Sequence, residues 1–169
     1  MLITRAALSD LSAVISLFNA IKKDLKRQNN DQWKWLYPNR FVYKADLRAG
    51  TAYGIKEDGH YIGIVTLNAN SNDKTQAYPW NDVNGKPCFI HRLAVHPNRQ
   101  RRGIGKMLFQ FAENLALEQG FTSIRLEVYA GNPQAVAMYE WAGYKHIGEV
   151  HYPMRKLAYL CMEKVLSDS

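Results

Sequence analysis

The chain lacks the features that mark several protein classes. Only two cysteines, Cys88 and Cys161, occur in 169 residues. That is too few for a disulfide framework, and no CxxC or Cys/His cluster offers a zinc site. Both lie in apolar, strand-like runs, so buried free thiols in a reducing compartment are expected. No apolar run nears the ~20 residues that span a bilayer. The first five residues do not have the basic-then-apolar layout of a signal peptide. The expectation is a cytoplasmic protein with no membrane partner and no metal. Wholesale disorder is excluded as well, because 47% of the residues are hydrophobic and 22% charged, an ordinary globular balance. The length fits a single domain over residues 1–169. A chain of this size buries roughly 70% of its unfolded surface, so it needs no metal or disulfide staple.

Acidic residues are absent from one long stretch, between Asp82 and Glu113. Within it lie Lys86, Arg92, Arg99, Arg101, Arg102 and Lys106, and these six bases match nearly all of the net charge of +7. A nucleic-acid coat would spread more widely, and no helix-turn-helix, RRM or zinc pattern accompanies the bases, so nucleic acid is not the expected partner. A concentrated basic stretch suits one anionic ligand, such as a phosphorylated cofactor.

Periodicity orders the elements. Residues 2–5 read as a short strand. Ser9 is the expected cap of a helix with Leu11, Val14, Ile15, Phe18, Ile21 and Leu25 at helical spacing. Lys22, Lys23, Lys26 and Arg27 read as its solvated end. Residues 28–50 hold Trp33, Trp35, Tyr37, Phe41 and Tyr43, which either pack on the core or wall a substrate pocket. Asp58-Gly59 between two β-prone runs signals a hairpin. Residues 70–86 form a long polar loop, the kind that often carries function. Residues 88–95 read as a buried strand. A glycine turn and a helix ending at Gly120 follow. Residues 123–129 alternate as a strand, Asn132-Pro133 opens another helix, and two strands cover 144–152 and 157–164. The order implies an α+β mixed sheet with helices on its faces.

The chemistry concentrates at strand, glycine turn and helix. Gly103 and Gly105 permit unusual backbone angles and close approach of a ligand. Helix-start amides, the helix dipole, Arg101, Arg102 and Lys106 together make a pyrophosphate cradle. Neither Walker A nor the dinucleotide fingerprint fits, because Lys106 is followed by Met107 and position 108 is Leu.

Gln100-Arg101-Arg102-Gly103-Ile104-Gly105 matches the Q/R-x-x-G-x-G/A motif of the GCN5-related N-acetyltransferase (GNAT) family. The segment His91–Pro97 looks like the family's preceding strand. Asn132 through Tyr144, with Ala135, Tyr139, Glu140 and Gly143 in place, resembles its N-x-x-A-x-x-x-Y-E-x-x-G-F/Y segment. The resemblance covers residues 88–146. It implies a mixed, largely antiparallel twisted sheet with helices on both faces, and acetyl-CoA as co-substrate. It also implies an amine acceptor, either a small molecule or a peptide, and since family members often dimerise, a homodimer.

Residue by residue, it implies that Gln100, Arg101, Arg102, Gly103, Ile104, Gly105 and Lys106 hold the pyrophosphate. The main chain of Leu93 and Val95 would pair with the pantetheine arm, and Asn132 is a cofactor contact or a helix cap. Tyr139 matches the usual general acid. His91 stands where many members place a glutamate, and an imidazole can accept the amine proton at neutral pH. Glu127 is the reserve base, its alternative being a salt bridge with Arg125 or another cation. Trp33, Trp35 and Tyr37 are the expected acceptor wall. No residue reads as a covalent nucleophile. The expected activity is N-acetylation of a primary amine by direct attack in a ternary complex. The absent glutamate leaves a catalytically silent acyl-CoA-binding module as the alternative.

Overall fold

A computed structural model describes residues 1–34 and 36–167. Trp35, one of the expected acceptor-wall residues, lies outside the described residues. The strands are β1 (Ile3–Arg5), β2 (Ala52–Glu57), β3 (His60–Asn68), β4 (Pro87–Val95), β5 (Ser123–Tyr129), β6 (Lys145–Val150) and β7 (Tyr159–Val165). The helices are α1 (Leu11–Arg27), α2 (Arg40–Ala49), α3 (Ile104–Glu118) and α4 (Pro133–Trp141). The strands form one mixed sheet in the order β1-β2-β3-β4-β5-β7-β6. The pair β4–β5 is parallel, running from Pro87 beside Ser123 to Ile90 beside Leu126. The pairs β1–β2, β2–β3, β5–β7 and β6–β7 are antiparallel.

The chain groups into two compact units, Met1–Thr66 with Arg92–Phe111, and Leu67–His91 with Ala112–Ser169. In the first unit, Asp58 and Gly59 both take positive φ, 50° and 80°, which is what a two-residue hairpin turn demands. The core there joins Val14, Leu17, Phe18 and Ile21 of α1, Tyr43 and Leu47 of α2, and Ala52, Tyr61 and Ile64 of the sheet. Phe18 and Tyr43 stack at 4.4 Å. Neighbouring strand residues face opposite ways. Ile64 joins the α1/α2 cluster, whereas a Cβ on Gly63 would meet Ile104 and Leu108 of α3 at 2.9 Å. Helices therefore cover both faces of the sheet at β3, and glycine at 63 is what lets α3 lie so close.

Two local expectations are corrected. Ser9 does not cap α1. It lies in a 3-10 turn, Leu8–Asp10, that Asp10 closes by accepting the Ala7 amide at 2.9 Å. Lys22 is not a solvated helix end, since its ammonium donates to the Pro38 carbonyl and burial lowers its pKa. Residues 40–49 form a helix whose cap is Asn39, with its Oδ1 accepting from the Phe41 and Val42 amides.

In the second unit, Trp80, Val150 and Cys161 form a buried cluster with Tyr78, Ile147, Tyr152 and Tyr159 packed on it. Cys88 and Cys161 are free, buried thiols. Among the described residues no helix is long and apolar enough to cross a membrane, and no group of three His, Cys, Asp or Glu side chains is placed to hold a metal ion.

Candidate active site

In the first unit, β4 runs into a 3-10 turn at Pro97–Arg99 and then into α3. Arg101 and Gly103 take φ of 61° and 77°. A Cβ on Gly103 would meet nothing within 4 Å, so glycine is required there by backbone conformation rather than by lack of space. The first i→i−4 bond of α3 runs from the Met107 amide to the Gly103 carbonyl, 3.0 Å. The amides of the turn before it have no acceptor inside the helix and point at whatever lies beyond its N-terminus. Arg101, Arg102, Gly103 and Lys106 are exposed, Gly105 is half-buried, and Ile104 is a core residue, 1% exposed. Gln100 braces this turn, its amide donating to the Val95 carbonyl at 3.2 Å.

The basic stretch is less concentrated in space than in sequence. The Arg99 guanidinium binds Glu57 at 2.9 Å. Lys86 lies 4.8 Å from the Phe121 ring centroid. Arg92 is drawn inward, where its guanidinium contacts both carboxylate oxygens of Asp46 at 2.6–3.0 Å and donates to the Tyr37 hydroxyl at 3.1 Å. Asp46 also accepts from Thr66. Arg92 has φ of 45°, a backbone conformation a long side chain adopts only when its surroundings hold it. Of the six bases, Arg92 and Arg99 are thereby committed to Asp46 and Glu57, while Arg101, Arg102 and Lys106 are exposed at the turn. Sequence spacing counts bases between acids but does not see Asp46 and Glu57 folding back onto them.

Leu93 and Val95 are half-buried on β4 beyond this residue. Trp33 packs on Phe18 at 5.5 Å and belongs to the α1/α2 core. Tyr37 is 44% exposed, with its hydroxyl held by Arg92.

In the second unit, His91 stacks on Phe89 at 6.1 Å, and its Nε2 lies 3.0 Å from the Asn68 side-chain oxygen. That oxygen also accepts the Asn70 amide at 2.9 Å. With an accepting oxygen opposite it, Nε2 is placed to donate to Asn68. Glu127 does not pair with Arg125. It accepts from the Tyr152 hydroxyl and the Asn72 amide, each at 2.8 Å. Arg125 pairs instead with the buried Glu163 at 3.0 Å and lies 4.4 Å from the Trp80 ring centroid. Arg125 and Glu127 share a face, and Glu163 lies directly opposite Arg125 in the β5–β7 pairing.

Tyr139 is a buried residue of α4, and desolvation raises its pKa. Its ring meets Tyr144 edge-on at 5.4 Å. Asn132 caps α4, accepting the Ala135 amide at 3.3 Å. Burial pushes both thiols, Cys88 and Cys161, up to about 12, which leaves neither activated as a nucleophile. A cavity of about 320 Å³ is lined by Asn72, Thr75, Gln76, Trp80, Phe89 and Arg125, among others.

The family model described as "Acetyltransferase (GNAT) family" matches residues 15–144. The chain belongs to the GNAT acetyltransferase family. The uncharacterized N-acetyltransferase YhfO of Bacillus subtilis is 30% identical over 155 residues, 89% of this chain and 94% of that protein. A [ribosomal protein bS18]-alanine N-acetyltransferase of Salmonella typhimurium is 31% identical over 91 residues, 53% of this chain and 62% of that protein. The chain thus spans under two thirds of that relative. A GNAT-family acetyltransferase structure from Streptococcus agalactiae superposes with a TM-score of 0.81 at 20% identity, covering 99% of this chain and 96% of the other. The structure of yncA from Salmonella typhimurium, determined with its cofactor acetyl-CoA, has a TM-score of 0.73 at 17% identity, covering 100% of this chain and 95% of the other.

As a GNAT acetyltransferase, the chain carries its expected site residues in two groups. Leu93, Val95 and the turn Gln100–Lys106 belong to the first unit, together with Trp33 and Tyr37. His91, Glu127, Asn132 and Tyr139 belong to the second. Asp46, Asn68, Asn72 and Tyr152, which hold Arg92, His91 and Glu127, were not singled out from the sequence. They are distant in the chain from the residues they serve, and no local pattern marks them.

Proposed function

We propose that the protein is an acetyl-CoA-dependent N-acetyltransferase that passes the acetyl group directly to a primary amine in a ternary complex. The turn at 100–106 carries this reading. It combines exposed Arg101 and Arg102, positive φ at Arg101 and Gly103, and the amide-bearing start of α3, which suits a pyrophosphate. The acetyl-CoA in the Salmonella neighbour supports the same choice of donor. The main chain at Leu93 and Val95 is assigned to the pantetheine arm, and an amide there to the oxyanion that develops on the thioester carbonyl.

The acceptor amine has a pKa near 10 when unperturbed, taking lysine as the guide, so it must lose a proton to attack. His91 receives that proton, with Glu127 as the reserve. The amine nitrogen bonds to the carbonyl carbon, the carbon–sulfur bond breaks, and the thiolate takes a proton from Tyr139. Burial raises the Tyr139 phenol above its ordinary value, so it holds its proton at neutral pH. The alanine amine modified by the ribosomal-protein relative is one example of an acceptor of this chemistry.

Calorimetric titration with acetyl-CoA, followed by free-thiol release over an amine panel, tests the reading. Saturable binding and amine-dependent thiol release are expected. Absence of binding overturns it, and binding with no release on any amine replaces it with a silent acyl-CoA-binding module.

A further inference from the structure

The cavity of the second unit has a defined chemistry. Ser71, Asn72, Thr75 and Gln76 line it with hydroxyl and amide groups, beside the rings of Trp80 and Phe89. Among the described residues, Arg125 is the one charged residue that lines it. Its charge is matched by Glu163, whose side chain is 0% exposed and lies 3.0 Å away. The lining therefore offers neutral hydrogen-bonding groups and aromatic surface without a net charge. Polar groups cost free energy when they are dehydrated without new partners. Such a site favours a ligand that returns hydrogen bonds over an apolar one of the same size. A volume of about 320 Å³ sits at the small end of ligand pockets and suits a small molecule rather than a protein segment.

Two contacts join this cavity to the proposed chemistry. Phe89, in its wall, stacks on His91. Asn72, also in its wall, donates to Glu127. An amine entering from the cavity is thus one ring contact from the proposed base and one hydrogen bond from the reserve carboxylate.

We propose that this cavity is the acceptor pocket, and that the acceptor is a small primary amine bearing hydroxyl or amide groups, of the amino-sugar or amino-alcohol class. The inference rests on the acetyltransferase reading above. The Trp80 indole reports on it, because its Nε1–H is bonded to the Thr75 carbonyl at 2.9 Å and both residues line the cavity.

The test uses the full chain saturated with CoA, with glucosamine, serinol and glycinamide set against cyclohexylamine and butylamine. Trp80 is read by its indole ¹⁵N–¹H resonance, assigned with Trp80→Phe. In parallel, kcat/KM is measured by thiol release with acetyl-CoA. At least one hydroxylated or amide-bearing amine is expected to shift the Trp80 resonance saturably. It is also expected to exceed both apolar amines in kcat/KM by about tenfold or more. Ala69→Phe, an exposed position in the lining, is expected to raise acceptor KM about tenfold and leave acetyl-CoA KM unchanged. The proposal is overturned if none of the three polar amines moves Trp80, if the apolar amines do as well, or if Ala69→Phe leaves acceptor KM unchanged. Failure of acetyl-CoA to bind removes the acetyltransferase reading instead, and the calorimetric titration separates the two outcomes.

Discussion

A tyrosine can protonate a leaving thiolate only while it keeps its own proton. Desolvation in α4 raises the pKa of Tyr139, so the phenol stays protonated throughout the neutral range. Tyr139→Phe is expected to lower kcat by about 10²–10⁴, with acetyl-CoA affinity by calorimetry essentially retained. His91 is the proposed acceptor of the amine proton, and His91→Ala is expected to lower kcat/KM by about 10²–10⁴ with acetyl-CoA affinity retained. An unchanged kcat/KM would transfer the role to Glu127. The two cysteines permit a further check. With their thiols pushed up to about 12 by burial, both remain protonated at the pH of a thiol-release assay. The native protein should give no disulfide exchange with an aromatic disulfide reagent, whereas the unfolded chain should release two equivalents.

At the level of elements, β4 is where local irregularity has a structural cause. Arg92 bends the strand into positive φ and is held there by Asp46, with side-chain exposures of 9% and 13%. Asp46→Ala would leave a buried guanidinium without its counter-charge, and breaking such a pair costs about 3–5 kcal/mol. Urea unfolding should show a loss of that order, together with weaker acetyl-CoA binding if the bend sets the direction of Leu93 and Val95. The start of α3 depends on Gly63. An added Cβ lies 2.9 Å from Ile104 and Leu108, and such overpacking costs about 1–3 kcal/mol. Gly63→Ala should lower the melting temperature accordingly.

For the whole molecule, the charge excess has a narrower meaning than its total of +7 suggests. Arg92 and Arg99 are committed to Asp46 and Glu57, whereas Arg101 and Arg102 are exposed at the turn. Charge-assisted bonds to phosphate contribute about 1.5–3 kcal/mol each. Replacing Arg101 and Arg102 with alanine should raise acetyl-CoA KM by about tenfold or more and flatten its dependence on salt. Arg99→Ala should do neither, which a KM series at increasing ionic strength would check.

The sequence by itself determined the hairpin at Asp58-Gly59, the strand–turn–helix around Gly103, the Asn132 cap of α4 and the family. Each is written in contiguous residues whose backbone preferences and spacing act locally. Only the tertiary structure decided that Arg92 turns inward to Asp46, that His91 pairs with Asn68, that Glu127 answers to Tyr152 and Asn72 rather than Arg125, and that loop 70–86 lines a polar cavity. Those pairings join residues 23 to 55 positions apart. Their choice of partner depends on which charges and amides the folded sheet brings within hydrogen-bond reach, a quantity that no local pattern encodes.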